Sequence, residues 1–539
     1  MLFVGRMDEQ GTNRATAHRG RSVYGGRVAE RLRSPFGVGH IDGPTAVGEA
    51  GAAECRGLIR VELRLEGETI TDARFQAYGC PATIACASEA VGFAKGATML
   101  EAASVTADQI ASSLELAPGK KASADLAIEA LHGALTDLVA RSELPGPSHV
   151  LDEKGVLVGM SGGVDSAVAA LLLKRQGFRV VGATLRLWTD PGADTQASCC
   201  SPENVRLARR VAHGLGIPHL TVDAVDEFRE EVVEYFVAEY AAGRTPNPCA
   251  KCNARLRFSF LGGVARRLGL GWVATGHYAR QAGEPPGLSR GIDSTKDQSY
   301  ALAEVSPALL AHCLFPLGGL RKTDVRKLAA AEGIEGSGRP ESQEICFIPD
   351  DDYRRFLRVR LGERPGPIVD AAGKVLGRHI GTYNYTIGQR KGLGIAAAEP
   401  LFVTGLDAEK AEVLVGGGEE LDVDEVLVDG ITWHGDLLPQ GGFVQLRSSG
   451  GAVPTHPPSW EDQSAASPDA GSRDRNARPA PTRVTVALRQ PARGVARGQT
   501  AVFYQGDRVT FAGTIVATKR SGQPVGTTEC EKAVRGPMV

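Results

Sequence analysis

No run of apolar side chains in this chain approaches the roughly 18 residues that a membrane-spanning helix needs, and the N-terminus has no hydrophobic signal core. Membrane insertion and export are therefore not expected, and the expected compartment is the cytoplasm. An excess of charge of one sign is also missing. The 61 Lys and Arg against 63 Asp and Glu leave a net charge of −2, so any contact with nucleic acid must come from local basic patches. There is no internal repeat and no GxxxxGK[ST] signature of kinase-type phosphate loops. The 10 cysteines, in a chain without an export signal, point to thiol or metal chemistry rather than a disulfide framework. What is present is 539 residues with 42% hydrophobic content, enough for several cores and about three or four domains.

The most informative stretch is Ser161-Gly162-Gly163-Val164-Asp165-Ser166, between the apolar run Val156-Leu157-Val158-Gly159-Met160 and a helical pattern over 167–174. A strand ending in small residues lets backbone approach a ligand, and the following helix N-terminus offers free N–H donors and partial positive charge. Ser161 and Ser166 add hydroxyls. Such a loop suits pyrophosphate, and so cleavage of ATP between its α and β phosphates. It resembles the signature of the ATP-pyrophosphatase (PP-loop) family, which adenylates a carbonyl oxygen and then displaces AMP.

Along the chain, 1–22 reads as a disordered tail and 23–141 as a small α+β unit, with strands at 58–65 and 69–78 and helices at 82–95, 107–114 and 124–140. Residues 142–154 read as a linker. Over 155–360, strand-like runs at 179–187, 219–223 and 272–275 alternate with helical patterns at 202–215, 226–241, 253–268 and 322–332, which predicts a doubly wound α/β sheet. Beyond 365 the helices disappear. A small β-rich central domain is expected over 361–428 and a C-terminal β-barrel over 429–520, interrupted by a polar, Pro- and Ser-rich disordered insertion at 449–481 and followed by a tail at 521–539.

Thr245-Pro246-Asn247-Pro248-Cys249-Ala250-Lys251-Cys252-Asn253 sets a CxxC at the start of a helical pattern, where a helix N-terminus and Lys251 and Arg255 favour a thiolate. Downstream, Cys346 lies in a strand-like run, Glu344-Ile345-Cys346-Phe347-Ile348. With these, the ordered motifs Ala274-Thr275-Gly276-His277-Tyr278, Lys296-Asp297-Gln298-Ser299-Tyr300 and Thr386-Ile387-Gly388-Gln389-Arg390-Lys391-Gly392-Leu393-Gly394 make residues 155–520 resemble the MnmA-type tRNA-specific 2-thiouridylases.

That resemblance implies ATP-dependent replacement of the C2 oxygen of a tRNA wobble uridine by sulfur. It implies ATP with Mg held by Gly159, Met160, Ser161, Gly162, Gly163, Val164, Asp165 and Ser166, with Leu185 and Gly276 flanking the adenosine. Asn247, Pro248 and Cys249 would border the flipped-out base. Lys296, Asp297, Gln298, Arg447 and Ser448 would touch tRNA. Cys346 would carry a persulfide and Cys252 would be the nucleophile that liberates its sulfur, leaving a Cys252–Cys346 disulfide. The same three thiols, Cys249, Cys252 and Cys346, admit an alternative, a [4Fe–4S] cluster with one iron open to sulfide. His277 is open to two roles, general acid or loop positioning, and the pair Arg390 and Lys391 is expected to meet RNA phosphate.

The front unit resembles the NifU/IscU-type iron–sulfur scaffolds, on Glu54-Cys55-Arg56-Gly57 and Ala77-Tyr78-Gly79-Cys80. Cys55 and Cys80 match two of that family's three cluster cysteines, and Ser123 stands at the third. Cys86 reads as a core residue. The implied partners are a tRNA and a cysteine desulfurase or sulfur-relay protein, with the front unit as a delivery module or a structural remnant. Two other classes compete: a PP-loop ligase of small molecules, which predicts no CxxC, and an iron–sulfur carrier with a merely tethering PP-loop half, which predicts loss of the loop residues.

Overall fold

In a computed structural model, residues 26–52, 57–141, 151–190, 201–283, 287–335, 345–435, 440–460 and 481–525 are described. The chain divides into two compact units, Met1–Asp137 and Leu138–Val539. Cys55, Cys199, Cys200 and Cys530 lie outside the described residues. Among the described residues no helix is long and apolar enough to cross a membrane.

In the front unit, Ala46–Ala52, Gly57–Glu66 and Thr69–Tyr78 form an antiparallel sheet in that order. Alternation puts Ile59, Val61 and Leu63 on the covered face with Ile70, Ala73 and Phe75 of the next strand, under the helices Pro81–Ala94 and Lys121–Ala140. Gly48 explains how close the long helix comes: a Cβ there would stand 2.0 Å from the Ala134 nitrogen. The first strand and the helix Gly26–Arg33 were not expected. The strand reads AVGEAGA, whose glycines and alanines carry little β signal, and it exists because its neighbour supplies a pairing edge.

The second unit opens with a parallel five-stranded sheet in the order Cys313–Leu314, Leu270–Thr275, Asp152–Gly159, Arg179–Arg186 and His219–Asp223. Its central strand is buried at Val156, Leu157 and Val158, and the phosphate loop sits at that strand's C-terminal end, as a doubly wound sheet requires. A four-stranded sheet follows, ordered Val375–His379, Gly366–Val369, Glu412–Gly416 and Phe402–Asp407. The last sheet closes on itself. Asp422–Trp433, Arg483–Arg493, Val453–Thr455, Gly442–Gln445, Thr500–Gln505 and Arg508–Arg520 pair in turn, and the last pairs back with the first around Val426, Val428, Phe503 and Phe511. A hairpin of the α/β domain, Ala279–Ala282 and Gly287–Arg290, adds to this barrel through Arg508 and Ser289, so the two domains share a sheet.

Three local expectations are corrected. Cys346 sits in a turn rather than a strand, because Phe347 points into an aromatic cluster and Pro349 has no N–H for a ladder. Cys313, which the Ala- and Leu-rich run before it would place in a helix, is buried but opens a short strand. The helical patterns 226–241 and 253–268 are each broken by a π-turn, at Arg229–Glu234 and Cys252–Arg257. In addition, the strand Val453–Thr455 falls within the stretch read as an insertion.

Candidate active site

The phosphate loop is braced from within. The Ser161 N–H donates to Ser166 Oγ at 3.3 Å, and that hydroxyl donates to the Gly163 carbonyl at 3.0 Å, so the buried Ser166 shapes the loop while Ser161 stays exposed. Gly162 has φ +76°, and a Cβ there would lie 2.9 Å from the Asn204 carbonyl oxygen, so only glycine fits. Gly163 N-caps the helix Val164–Arg175. Gly276 stands against the same helix start, where a Cβ would come within 2.7 Å of the Ser166 nitrogen. Loop, helix N-terminus and Gly276 thus leave a bare backbone cradle fit for phosphates. Leu185, half-buried on the neighbouring strand, packs on the cluster that holds Cys252.

A charge control that sequence reasoning missed lies in this loop. Asp165 is held by Lys322 through both oxygens, at 2.7 and 2.6 Å, and accepts a hydrogen bond from the Tyr278 hydroxyl at 2.8 Å. A carboxylate facing a phosphate site would repel it; Lys322, nearly buried at the start of Lys322–Ala331, neutralises it. Nothing in the local sequence of Lys322, an N-terminal helix lysine, marks this role.

Asn247 N-caps a single turn, Pro248–Lys251, its side chain accepting from the Ala250 N–H at 3.2 Å. Cys249 on that turn is open to solvent and Cys252 is buried. The π-turn starting at Cys252 carries residue i+5 round to the side of residue i, and Arg257 thereby donates a hydrogen bond to the Cys252 thiol. The expectation of a ready thiolate is corrected. Burial pushes Cys252 up to about 11 against the opposing Arg257 charge and hydrogen bond. Cys249 also moves upward, from the protein packed around its opening and the neighbouring Cys346 and Cys252 thiols.

Cys346 joins Cys252 in one hydrophobic cluster with Leu187, Phe228, Phe236 and Phe356. The ring of its neighbour Phe347 fixes it, lying 5.4 to 5.7 Å from Phe236, Phe356 and Phe228. The structure therefore brings together the two cysteines that lie far apart in sequence. Among the described residues no group of three or more His, Cys, Asp or Glu side chains is arranged to hold a metal ion. The thiols of Cys249, Cys252 and Cys346 are near enough to influence one another, but this arrangement does not favour the cluster alternative. His277 is buried, bonded through Nδ1 to Thr275 Oγ1 at 2.7 Å and pushed down to about 3 by burial and by Arg257, which favours its neutral form.

The residues expected at tRNA divide. Asp297 is committed internally, accepting from the Gly291 and Ser299 N–H groups at 3.0 Å and pairing with Arg290 at 3.0 Å. Gln298 accepts from the Tyr278 N–H at 2.9 Å. Arg447 and Ser448 are exposed on a barrel loop. Arg290, not singled out from sequence, ties the two regions together: it stacks 3.7 Å over Tyr504 and donates to Gln445 at 3.2 Å, while Gln445 Nε2 donates to the Arg447 and Ser448 carbonyls. Asp297 and Ser448 line one polar cavity of about 520 Å³. Arg390 and Lys391 are exposed on a turn between Gly388 and Gly392, both at positive φ.

In the front unit Cys80 N-caps Pro81–Ala94, with Thr83 Oγ1 at 3.4 Å and Ser123 Oγ at 3.9 Å from its sulfur. Burial alone would raise this thiol, but hydrogen bonds from Thr83, Ser123 and the Ala82 N–H bring it down to about 7. Cys86 is buried in the helix and raised to about 12 by burial.

Family models match in the same order: a NifU-like N terminal domain over residues 23–144, a tRNA methyl transferase HUP domain over 154–350, a tRNA methyl transferase PRC-barrel domain over 354–417 and an aminomethyltransferase beta-barrel domain over 475–515. The bifunctional protein NifU/MnmA of Rubrobacter xylanophilus is 44% identical over 507 residues, covering 92% of this chain and 99% of that protein. The chain belongs to the NifU/MnmA family. The tRNA-specific 2-thiouridylase MnmA of Geobacter metallireducens is 42% identical over 68% of this chain and 98% of its own length. A solved NifU-like protein (N-terminal) from Brucella abortus is 20% identical, with a TM-score of 0.20, covering 22% of this chain and 94% of that one. This NifU/MnmA protein is thus a tRNA 2-thiouridylase with an ATP-binding HUP domain and a NifU-like domain in front of it.

Proposed function

We propose that the chain thiolates the wobble uridine of tRNA in two steps on one site. In the first, the uridine C2 oxygen attacks the α-phosphorus of ATP, brought with Mg to residues 159–166 between Leu185 and Gly276, and pyrophosphate leaves. In the second, the terminal sulfur of a Cys346 persulfide attacks C2 and AMP leaves. The Cys252 thiolate then attacks the Cys346 sulfur, the S–S bond to the base breaks, and 2-thiouridine departs with a Cys252–Cys346 disulfide left behind. An external thiol reductant restores the pair. Asn247, Pro248 and Cys249 border the base, and Lys296, Arg447 and Ser448, with Arg390 and Lys391, face RNA on a frame set by Asp297, Gln298 and Arg290.

The observation that carries this reading is the meeting of Cys252 and Cys346 in one cluster against which Leu185 packs, Leu185 being on the strand next to the one that leads into the PP-loop. The test charges the full chain with sodium polysulfide, desalts it, and adds ATP, Mg and an unmodified tRNA transcript. One 2-thiouridine per chain is expected, and Cys252→Ser should lower its yield at least a hundredfold; undiminished yield in Cys252→Ser contradicts the relay. For the front unit, the low-lying Cys80 thiol supports sulfur delivery from a cysteine desulfurase to Cys346.

A further inference from the structure

Pro248–Lys251, which bears Cys249, is the first turn of a helical run that continues through the π segment Cys252–Arg257 to Arg267, and the irregular hydrogen bonding of that segment makes the placement of this first turn depend on contacts from outside. Between the two cysteines stands Lys251, whose ammonium forms a close ion pair with Glu304 and donates to Thr514 Oγ1 at 2.9 Å. The other Glu304 oxygen accepts from Thr500 Oγ1 at 2.7 Å. Both charged side chains are nearly removed from solvent, 10% and 6% exposed. Thr500 and Thr514 are directly opposite each other on neighbouring barrel strands, so one cross-strand pair grips both members of the ion pair.

The same barrel edge holds the segment before the turn. The Thr245 N–H donates to the Arg497 carbonyl at 2.8 Å, and Gln499 Nε2 donates to the Thr245 and Pro246 carbonyls at 3.0 and 3.3 Å. Gly498, at φ +91°, passes so near that a Cβ would stand 3.0 Å from the Thr245 oxygen. On the far side Asn253 Nδ2 donates to the Ala301 carbonyl at 3.0 Å, and Tyr300, beside it in the chain, donates to the Thr500 carbonyl at 2.7 Å. Every one of these tethers lies outside the atoms that the sulfur chemistry uses.

We infer that the Lys251–Glu304 ion pair, gripped by Thr500 and Thr514 of the barrel, sets the placement of the Cys249–Cys252 turn for sulfur transfer, which makes Lys251 and Glu304 positioning residues of the second step. Losing one partner leaves the other charge buried and uncompensated, so the turn must move to hydrate it; losing both leaves a neutral pocket in which the turn can settle back. The barrel is then part of the sulfur-transfer site as well as an RNA surface. The inference rests on Cys252 being the sulfur-releasing nucleophile.

The test uses the polysulfide-charged full chain in single turnover with ATP, Mg and a tRNA transcript, following pyrophosphate release, 2-thiouridine and tRNA affinity separately. Glu304→Gln and Lys251→Met should each slow 2-thiouridine formation at least tenfold, and at least fivefold more than they slow pyrophosphate release, while tRNA affinity changes less than twofold. The double variant Lys251→Met/Glu304→Gln should recover to within about threefold of wild type. Thr500→Val, which strands no charge, should slow the sulfur step by about threefold or more and serves where a single charge variant does not fold. Thiolation at the wild-type rate in the single variants, or in Thr500→Val where they do not fold, overturns the inference, as does a proportional fall of all three readouts. A wild-type chain that forms no 2-thiouridine overturns the underlying relay instead, and this inference with it.

Discussion

At the residue scale, the Cys252 thiol is quiet in the resting protein. Burial holds Cys252 at about 11, against an ordinary thiol near 8.5, and Arg257 only partly offsets this. Between pH 7 and 9 the thiolate is therefore the minor form, so each pH unit raises it about tenfold, where an ordinary cysteine would already level off. Iodoacetamide labelling of Cys252, read by mass spectrometry, should rise about a hundredfold over that range, and a plateau near pH 8.5 would show the thiol unperturbed. The pairing of CxxC with a distant cysteine was legible as residue types in sequence, but their protonation was not. Helix-start chemistry argues for a thiolate, and what outweighs it is a hydrophobic cluster assembled from Phe228, Phe236, Phe347 and Phe356, residues up to about a hundred positions away.

At the scale of elements, the strand–loop–helix that cradles phosphate was readable, since Val156 to Ser166 carries both the buried-strand run and the small residues the loop needs. The pin that holds it was not. Lys322 and Asp165 lie on helices separated by 157 positions, and only the fold makes them neighbours. Lys322→Met should leave Asp165 uncompensated beside the phosphates and weaken ATP binding, measured by calorimetry on the full chain, at least tenfold, with Lys322→Arg recovering part of it. Unchanged ATP affinity in Lys322→Met would remove Lys322 from the site. The π-turns were likewise hidden, because Cys252–Arg257 has the apolar spacing of an ordinary helix and differs only in which hydrogen bonds close.

For the whole molecule, domain order was legible because each part has its own period: the scaffold-like α+β unit, the alternating strands and helices, then strands alone. The shared sheet between the hairpin Ala279–Arg290 and the barrel was not, since a short polar hairpin carries no mark of its distant partner. With a cysteine desulfurase and L-cysteine as the sulfur source, Cys80→Ala should lower the thiolation rate at least fivefold, while the same variant charged with polysulfide should match wild type. Equal loss under both conditions, or none under either, would deny the front unit a delivery role.

The central claim is that sulfur reaches the uridine from Cys346 with Cys252 as the releasing nucleophile. It is tested most directly by a single turnover of the polysulfide-charged full chain without added reductant, followed by acid quench and peptide mapping. The account predicts one Cys252–Cys346 disulfide for each 2-thiouridine formed; 2-thiouridine accumulating while both cysteines remain free thiols would contradict it.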